Sequence, residues 1–387
     1  MEIMPEFTPN STYIHHPDSS VEGLLEGGGV VGMERKTLVF VCLLVIALMV
    51  VSTVPAGAKK PPKDPPPDGG SDPTGTLYYT YPDSGTNYVW SMDPDGTGKT
   101  KEHLFPGEYY AMSRSQHGGK WWYIGWKAGT GTFPDGQPRW DLFAQSDDGL
   151  SEIQLSNDPN MEVNRLGIRP TWGLNDDTVS WSAVIWEQDT SGNDVVKEAG
   201  IYTASITWSS DVVTGIGTIG TIINCGYANW GTPTYYATMR ETMDWSPDGK
   251  KITYMKWDLV DEVGKVFVYD IENDVETELV RGYNPQWSPD GNYISFGQDR
   301  SILIIKPDGT GNTTLAKSSY KGNILKTARY QYWSPDSKYL MYHIYTINYR
   351  KLGSYPTDIY IVDLDGNADC LTSSLTSTEW KAPVGWR

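Results

Sequence analysis

Carboxylates, histidines and large aromatic rings are the side chains of this sequence with chemistry to offer, and their spacing decides which chemistry. Asp363-x-Asp365-Gly366-Asn367-x-Asp369 begins like a calcium loop, in which alternating acidic oxygens wrap a hard cation. Glycine falls at position 4 of that run rather than 6, and position 12 is Ser374 rather than a bidentate glutamate, so it reads as a hairpin turn. Asp93-x-Asp95-Gly96 is shorter and reads the same way. Structural calcium is the alternative these turns leave open; no other cofactor and no metal site is expected. His103, His117 and His343 are scattered, and His15 and His16 lie far upstream, so no ligand cluster is spelled out. Serine, histidine and aspartate are all present, but no spacing supports a catalytic triad, and no catalytic residue is assigned.

Aromatic residues in glycine-rich stretches offer binding rather than catalysis. Three segments read as inserted loops: 126–141 (WKAGTGTFPDGQPRWD), 187–198 (EQDTSGNDVVKE) and 225–238 (CGYANWGTPTYYAT). Loops on a rigid scaffold carry function disproportionately, and Trp and Tyr anchor protein interfaces. Trp126, Trp140, Trp230, Tyr235 and Tyr236 are therefore the ligand-binding candidates, with Phe133 beside them. The structural alternative is that these rings only cap the ends of the repeat units described next. Asn312-Thr313-Thr314 is a glycosylation sequon. Cys225 and Cys370 read as two unpaired, buried thiols.

The elements that position these residues announce themselves by repetition. Trp245-Ser246-Pro247-Asp248-Gly249, Trp287-Ser288-Pro289-Asp290-Gly291 and Trp333-Ser334-Pro335-Asp336-Ser337 are three copies of one unit. Weaker copies begin at Trp172 and at Ser115, and Pro383-Val384-Gly385-Trp386 supplies a last fragment. Proline presets φ for the first turn position, aspartate accepts a backbone N–H from its own turn, and glycine tolerates positive φ, so each copy reads as strand, tight turn, strand. Ile252 and Tyr254, Ile294 and Phe296, Leu340 and Tyr342, and Val179 and Trp181 follow with period two, the mark of a strand with one buried face. A second aromatic-aliphatic strand ending in an acidic turn recurs downstream (VFVYDIENDVE, ILIIKPDGTGN, IYIVDLDGNAD), then a polar strand. Four strands per unit make a propeller blade. LYYTYP (77–82) and YVWSMD (88–93) open the domain as a blade lacking its first strand, and PVGW (383–386) ends it as a first strand lacking the rest. The expected fold is all-β: a six-bladed β-propeller of four-stranded antiparallel blades, with the N- and C-terminal strands closing one blade.

The 387 residues carry a formal net charge of -17, which excludes nucleic acid as the main partner because phosphate binding needs clustered Lys and Arg. Ahead of the propeller, 37–51 (TLVFVCLLVIALMVV) follows Glu34-Arg35-Lys36 and precedes Ala56-Gly57-Ala58, so 33–58 reads as a secretory signal peptide, with an uncleaved membrane anchor as the alternative. Met33 makes a better start than Met1, and residues 1–32 read as mis-assigned or disordered leader. Residues 59–75 (KKPPKDPPPDGGSDPTG) are a proline-rich tether. The propeller occupies 76–387.

The tryptophan-led segments WSPDGKKITY, WSPDGNYISF and WSPDSKYLMY resemble the repeats of TolB-like propellers and of the propeller domains of prolyl-oligopeptidase-type peptidases. TolB carries an α/β domain ahead of its propeller, and the proline-rich tether stands in that place here. No G-x-S-x-G nucleophile elbow follows the last repeat, so peptidase activity is not expected. The resemblance implies fold more than function. The expected role is an exported binding or scaffold module presenting propeller loops to a protein, peptide or glycan, extracellular, periplasmic or at the cell surface. A propeller-type lyase or hydrolase, or a structural envelope protein, is the alternative.

Overall fold

The computed structural model describes residues 72–105, 112–117, 120–132, 138–156, 158–163, 170–173, 177–224, 243–258, 261, 263–321, 324–348, 357–372 and 381–387. The apolar run, the tether up to residue 71, Phe133 and segment 225–242 lie outside them.

Every described element is a strand, and the strands fall into six antiparallel sheets. The first holds β1 (Leu77–Asp83), β2 (Thr86–Met92) and β3 (Thr100–Leu104). The second is β4 (Met112–His117), β5 (Lys120–Thr132), β6 (Pro138–Ser146) and β7 (Glu152–Gln154). In the third, β10 (Thr178–Gln188) and β11 (Asp194–Ser209) form a long central hairpin. Its inner edge is split between β8 (Met161–Glu162) and β9 (Thr171–Trp172), its outer edge between β12 (Val212–Ile216) and β13 (Gly220–Asn224). The fourth runs β14 (Asp244–Trp245), β15 (Lys251–Asp258), β16 (Val263–Asp270), β17 (Val275–Arg281), and the fifth β18 (Tyr283–Trp287), β19 (Ile294–Gln298), β20 (Ser301–Ile305), β21 (Thr313–Ala316). The sixth adds an extra strand: β22 (Ser319–Lys321), β23 (Ile324–Trp333), β24 (Tyr339–Asn348), β25 (Thr357–Asp363), β26 (Ala368–Cys370). Finally β27 (Ala382–Trp386) returns to pair with β1, giving the order β27-β1-β2-β3.

Packing shows that the sheets close a ring. Six buried hydrophobic clusters occur among the described residues, and each straddles two successive blades. Val89 meets Trp121 and Tyr123 between blades 1 and 2. Trp122 and Trp126 meet Trp172 and Trp181 between 2 and 3. Ile201 meets Tyr254, Val268 meets Trp287, and Ile304 meets Trp333 across the next three joints. Met341 and Ile361 meet Leu77, Tyr79 and Trp386 across the last, which joins blade 6 back to blade 1. The tryptophan that ends an inner strand thus lies between neighbouring sheets, and two of them also hydrogen-bond across the joint: Trp245 Nε1 donates to Ser180 Oγ at 3.2 Å and Trp333 Nε1 to Gln286 O at 3.2 Å.

The closing blade is held at both of its ends. Leu77 pairs with Trp386 and Thr80 with Ala382, Arg387 N donates to Thr76 O at 2.9 Å, and Trp386 Nε1 donates to Thr74 O at 2.9 Å. At the other end of β27, Lys381 is wholly buried. Its Nζ donates to Thr357 O at 2.9 Å and lies 3.5 Å from Asp358 Oδ1, while its carbonyl accepts from the Thr357 hydroxyl at 2.8 Å and lies 3.1 Å from Nδ1 of the buried His343. The chain entering the last strand is therefore bolted to blade 6 by a buried charge with a partner.

Cys370 departs from expectation. It is a free thiol but half-buried rather than buried, because β26 is the outermost strand of its sheet.

Candidate functional site

Strand direction alternates within each blade, so successive connections emerge at opposite ends of the ring. One end carries the turns between first and second strands and between third and fourth. These are short and saturate their own hydrogen bonds. In the three Trp-Ser-Pro-Asp copies, the serine hydroxyl donates to the aspartate carboxylate: Ser246 to Asp248 at 2.7 Å, Ser288 to Asp290 at 2.6 Å and Ser334 to Asp336 at 2.6 Å. The carboxylate also accepts the N–H two residues on (Lys250, Asn292, Lys338), and the serine oxygen accepts the N–H five residues on (Lys251, Tyr293, Tyr339). The fourth turn residue is left-handed in each: Gly249 at φ 70°, Gly291 at 76° and Ser337 at 62°. Hydrogen bonding of this kind favours the ionised carboxylate, and the Ser246 hydroxyl and Lys250 N–H hold Asp248 below the usual range. A fourth copy of the same network sits at Ser146-Asp147-Asp148-Gly149, where Ser146 and then Leu150 N–H pull Asp148 down to about 2. Sequence reasoning missed it because it lacks the flanking Trp and Pro; Ser-x-Asp-Gly alone is the signal. The Asp363 run folds likewise: the Asp363 carboxylate accepts N–H bonds from Asp365 at 3.0 Å and Asn367 at 2.7 Å. Asn312 is exposed at this end.

The opposite end carries the longer connections and is the loop face. Two rings expected to bind there are placed differently. Trp126 is 1% exposed and sits in β5, packed between blades 2 and 3. The glycine-rich stretch continues β5 to Thr132, and Trp122, Ile124 and Trp126 keep one face inward, so period two was the available signal. Trp126 is therefore core, which corrects the expectation of a loop residue. Trp140, likewise in a strand, stays half-buried on the same cluster. Segment 187–198 is largely the paired end of the β10–β11 hairpin, Gln188 opposite Asp194. Trp230, Tyr235 and Tyr236 lie outside the described residues.

Beside Trp140 the structure assembles groups that the sequence did not single out. Asp141 is 3% exposed and takes a pair of bonds from Arg139, Nε at 3.1 Å and Nη2 at 3.0 Å. Glu162, 2% exposed, accepts from the indole N–H of half-buried Trp186 at 2.9 Å. Two buried carboxylates and two partly open tryptophans thus share the loop-face ends of blades 2 and 3. Nearer the axis, the inner strands of blades 5 and 6 both bulge at a left-handed residue, Asn284 (φ 53°) and Tyr330 (φ 54°). Buried Gln331 donates to Asn284 O at 2.6 Å across the joint. On β14 the Asp244 carboxylate accepts Trp287 N–H at 2.8 Å and Trp245 N–H at 3.0 Å. Although residue 244 as a whole is half-buried, its carboxyl group is desolvated, and that outweighs the two bonds and pushes its pKa up to about 7. Among the described residues no group of three His, Cys, Asp or Glu side chains is placed to hold a metal ion.

With this geometry in place, comparison with solved structures is informative. TolB from Acinetobacter baumannii matches with a TM-score of 0.50 at 13% identity, over 81% of this chain and 68% of that one. The fold is a TolB-like propeller. Hydrazine synthase from Kuenenia stuttgartiensis (TM-score 0.45, 11% identity, 81% of this chain and 47% of that one) and a nidogen/laminin complex (0.36, 14%, 64% and 94%) also match. No family model matches the sequence, and no curated protein matches it.

Proposed function

We propose that this TolB-like propeller is an exported binding module that presents its loop face to a protein partner, with an extended peptide or a glycan as the other ligands such a face accepts. The observation that carries the reading is the inequality of the two ends. At the turn end, the tight turns spend their serine and aspartate groups on their own backbone. At the loop end, half-buried Trp186 is held by its bond to the fixed Glu162 carboxylate and half-buried Trp140 rests on the joint of blades 2 and 3, so aromatic surface is preorganised without further ordering cost. Export rests on the apolar run 37–51 and its small-residue end.

The test is capture of partners from the native envelope by the full chain, compared with two variants. Trp140→Ala with Trp186→Ala should abolish capture at unchanged fold, and Ser288→Ala at the turn end should retain it. Equal capture by the tryptophan variant would remove the loop face as the binding surface. Cell fractionation of the same chain tests export separately.

A further inference from the structure

The joint that closes the ring contains hydrogen-bond donors that the protein does not satisfy. Arg329, on β23, is half-buried, and its Nε is shut off from solvent with no hydrogen-bond partner among the described residues. No ion pair among the described residues involves its guanidinium, in a chain whose net charge is -17. Tyr79, on β1, is 0% exposed, and its hydroxyl likewise has no hydrogen-bond partner among the described residues. Burial, and then the neighbouring Tyr81, push that hydroxyl above its ordinary pKa, so it stays protonated and able to donate.

The register sets both donors on the walls of one joint. Side chains directly opposite on neighbouring strands share a face of the sheet, and Arg329 pairs with His343, which pairs with Ile359. Ile359 packs with Leu77 and Tyr79 of blade 1, so the Arg329 row faces blade 1 and Tyr79 faces blade 6. Their heights match. Arg329 precedes Trp333 by four residues, and Pro383, the partner of Tyr79, precedes Trp386 by three. Buried Lys381 stands close to this level, its Nζ 5.8 Å from the centre of the Tyr81 ring and its carbonyl oxygen 3.1 Å from His343 Nδ1. Asp358 lies 3.5 Å from that ammonium, whereas no described carboxylate pairs with Arg329. Tyr330 is left-handed at φ 54° and sets its ring edge-on to His343 at 5.0 Å, so the bulge fixes the chain beside the guanidinium. β23 and β27 are the innermost strands of their blades and border the central channel, from which the half-buried guanidinium is reached.

We propose that the joint of blades 6 and 1 binds a carboxylate that enters from the central channel, with Arg329 as its ionic partner and the Tyr79 hydroxyl as a second donor. Donors without an acceptor call for a ligand that accepts, because buried polar groups are normally paired. A guanidinium meets a planar carboxylate through two parallel hydrogen bonds. One unpaired positive charge suits a monoanion better than a phosphate dianion, whose second charge would be buried without a partner. A small carboxylic acid and the C-terminus of a peptide share this chemistry. The site is separate from Trp140 and Trp186 on blades 2 and 3, so it goes beyond the loop-face reading, and its test involves no partner capture.

The full chain is melted at constant ionic strength with N-acetylalanine and with acetylated trialanine, each supplied as the free acid and as the amide. A melting temperature that rises with the concentration of acid, and not with the amide, is the expected result. A rise with N-acetylalanine assigns a small carboxylic acid, and a rise with the tripeptide acid alone assigns a peptide terminus. Arg329→Met should weaken binding at least about tenfold. It should leave the unliganded melt unchanged or higher, because it removes a charge that has no partner. Tyr79→Phe keeps the packed ring and should weaken binding about threefold to tenfold. Lys338→Met, at the turn end, should leave binding unchanged. No rise with either acid up to about 10 mM overturns the proposal and leaves the donors to water. Equal rises with acid and amide, or equal affinity in Arg329→Met, overturn it too. So does a lower unliganded melt of Arg329→Met, which assigns the arginine to structure alone.

Discussion

Removing the Trp386 ring tests whether the ring of blades is truly closed by its last strand. Trp386 is 7% exposed and packs with Leu77, Tyr79, Met341 and Leu371, so it touches both blade 1 and blade 6. Truncating a buried Trp to Ala costs about 3–5 kcal/mol from lost transfer and the cavity left behind. Loss of the indole bond to Thr74 O adds about 1 kcal/mol. At about 2 °C per kcal/mol for a large domain, Trp386→Ala should lower the melting temperature by roughly 10 °C. Trp287→Ala is the matched control, since Trp287 is 6% exposed at the joint of blades 4 and 5. Both should lose similar stability, but only Trp386→Ala loosens β27 from β1 and bares an edge strand, so only it should aggregate in a concentration-dependent way well below its melt. Differential scanning calorimetry and light scattering read the two effects. A Trp386→Ala melt within about 2 °C of wild type would refute the reasoning, because a cavity at the closing joint cannot be that cheap.

The remaining expectations concern the same joint and the desolvated carboxylate. A Cβ added at Gly75, whose φ is +95°, would lie 2.4 Å from Arg387 O, so Gly75→Ala should cost about 2 kcal/mol and free the last residue, read as faster amide exchange at Arg387. Lys381→Met keeps the buried volume and removes the charge, whereas Asp358→Ala leaves the ammonium without its carboxylate; the second should cost about 3 kcal/mol by denaturant unfolding and the first much less. Asp244 titrates from 3.8 when unfolded to about 7 when folded, so as pH rises through that window the unfolded chain ionises first and stability falls. Asp244→Asn should remove that slope, worth about 4 kcal/mol at most between pH 4 and pH 8, and an unchanged pH profile would show the carboxyl to be hydrated.

The blades were legible because a tryptophan, a turn and a period-two strand recur at each, and because PVGW at one end complements LYYTYP at the other; β27 pairs with β1 as that complement requires. Local signals failed where glycine and an aromatic ring stand together. Around Trp126 glycine suggested a loop, yet alternation ran straight through it, and burial against blade 3 overrode the composition. The Lys381–Thr357–His343 network was invisible for another reason. Its members lie 24 and 38 positions apart and meet only because the last strand returns beside blade 6. Arg139 with Asp141 was within reach of inspection, being two residues apart on one strand face, but nothing in the sequence marks that pair as buried.

The bond from Trp386 to Thr74 spans 312 positions, so the first and last strands of the propeller must both be delivered before the final joint can form. Long-range closure of this kind is slow, because entropy is lost before contacts repay it. Until β27 arrives, the other five sheets can stack while β1 waits with an open flank. The order of synthesis thus makes arrival of β27 a condition for a closed ring: a product that stops short of Ala382 is marked by an unpaired strand.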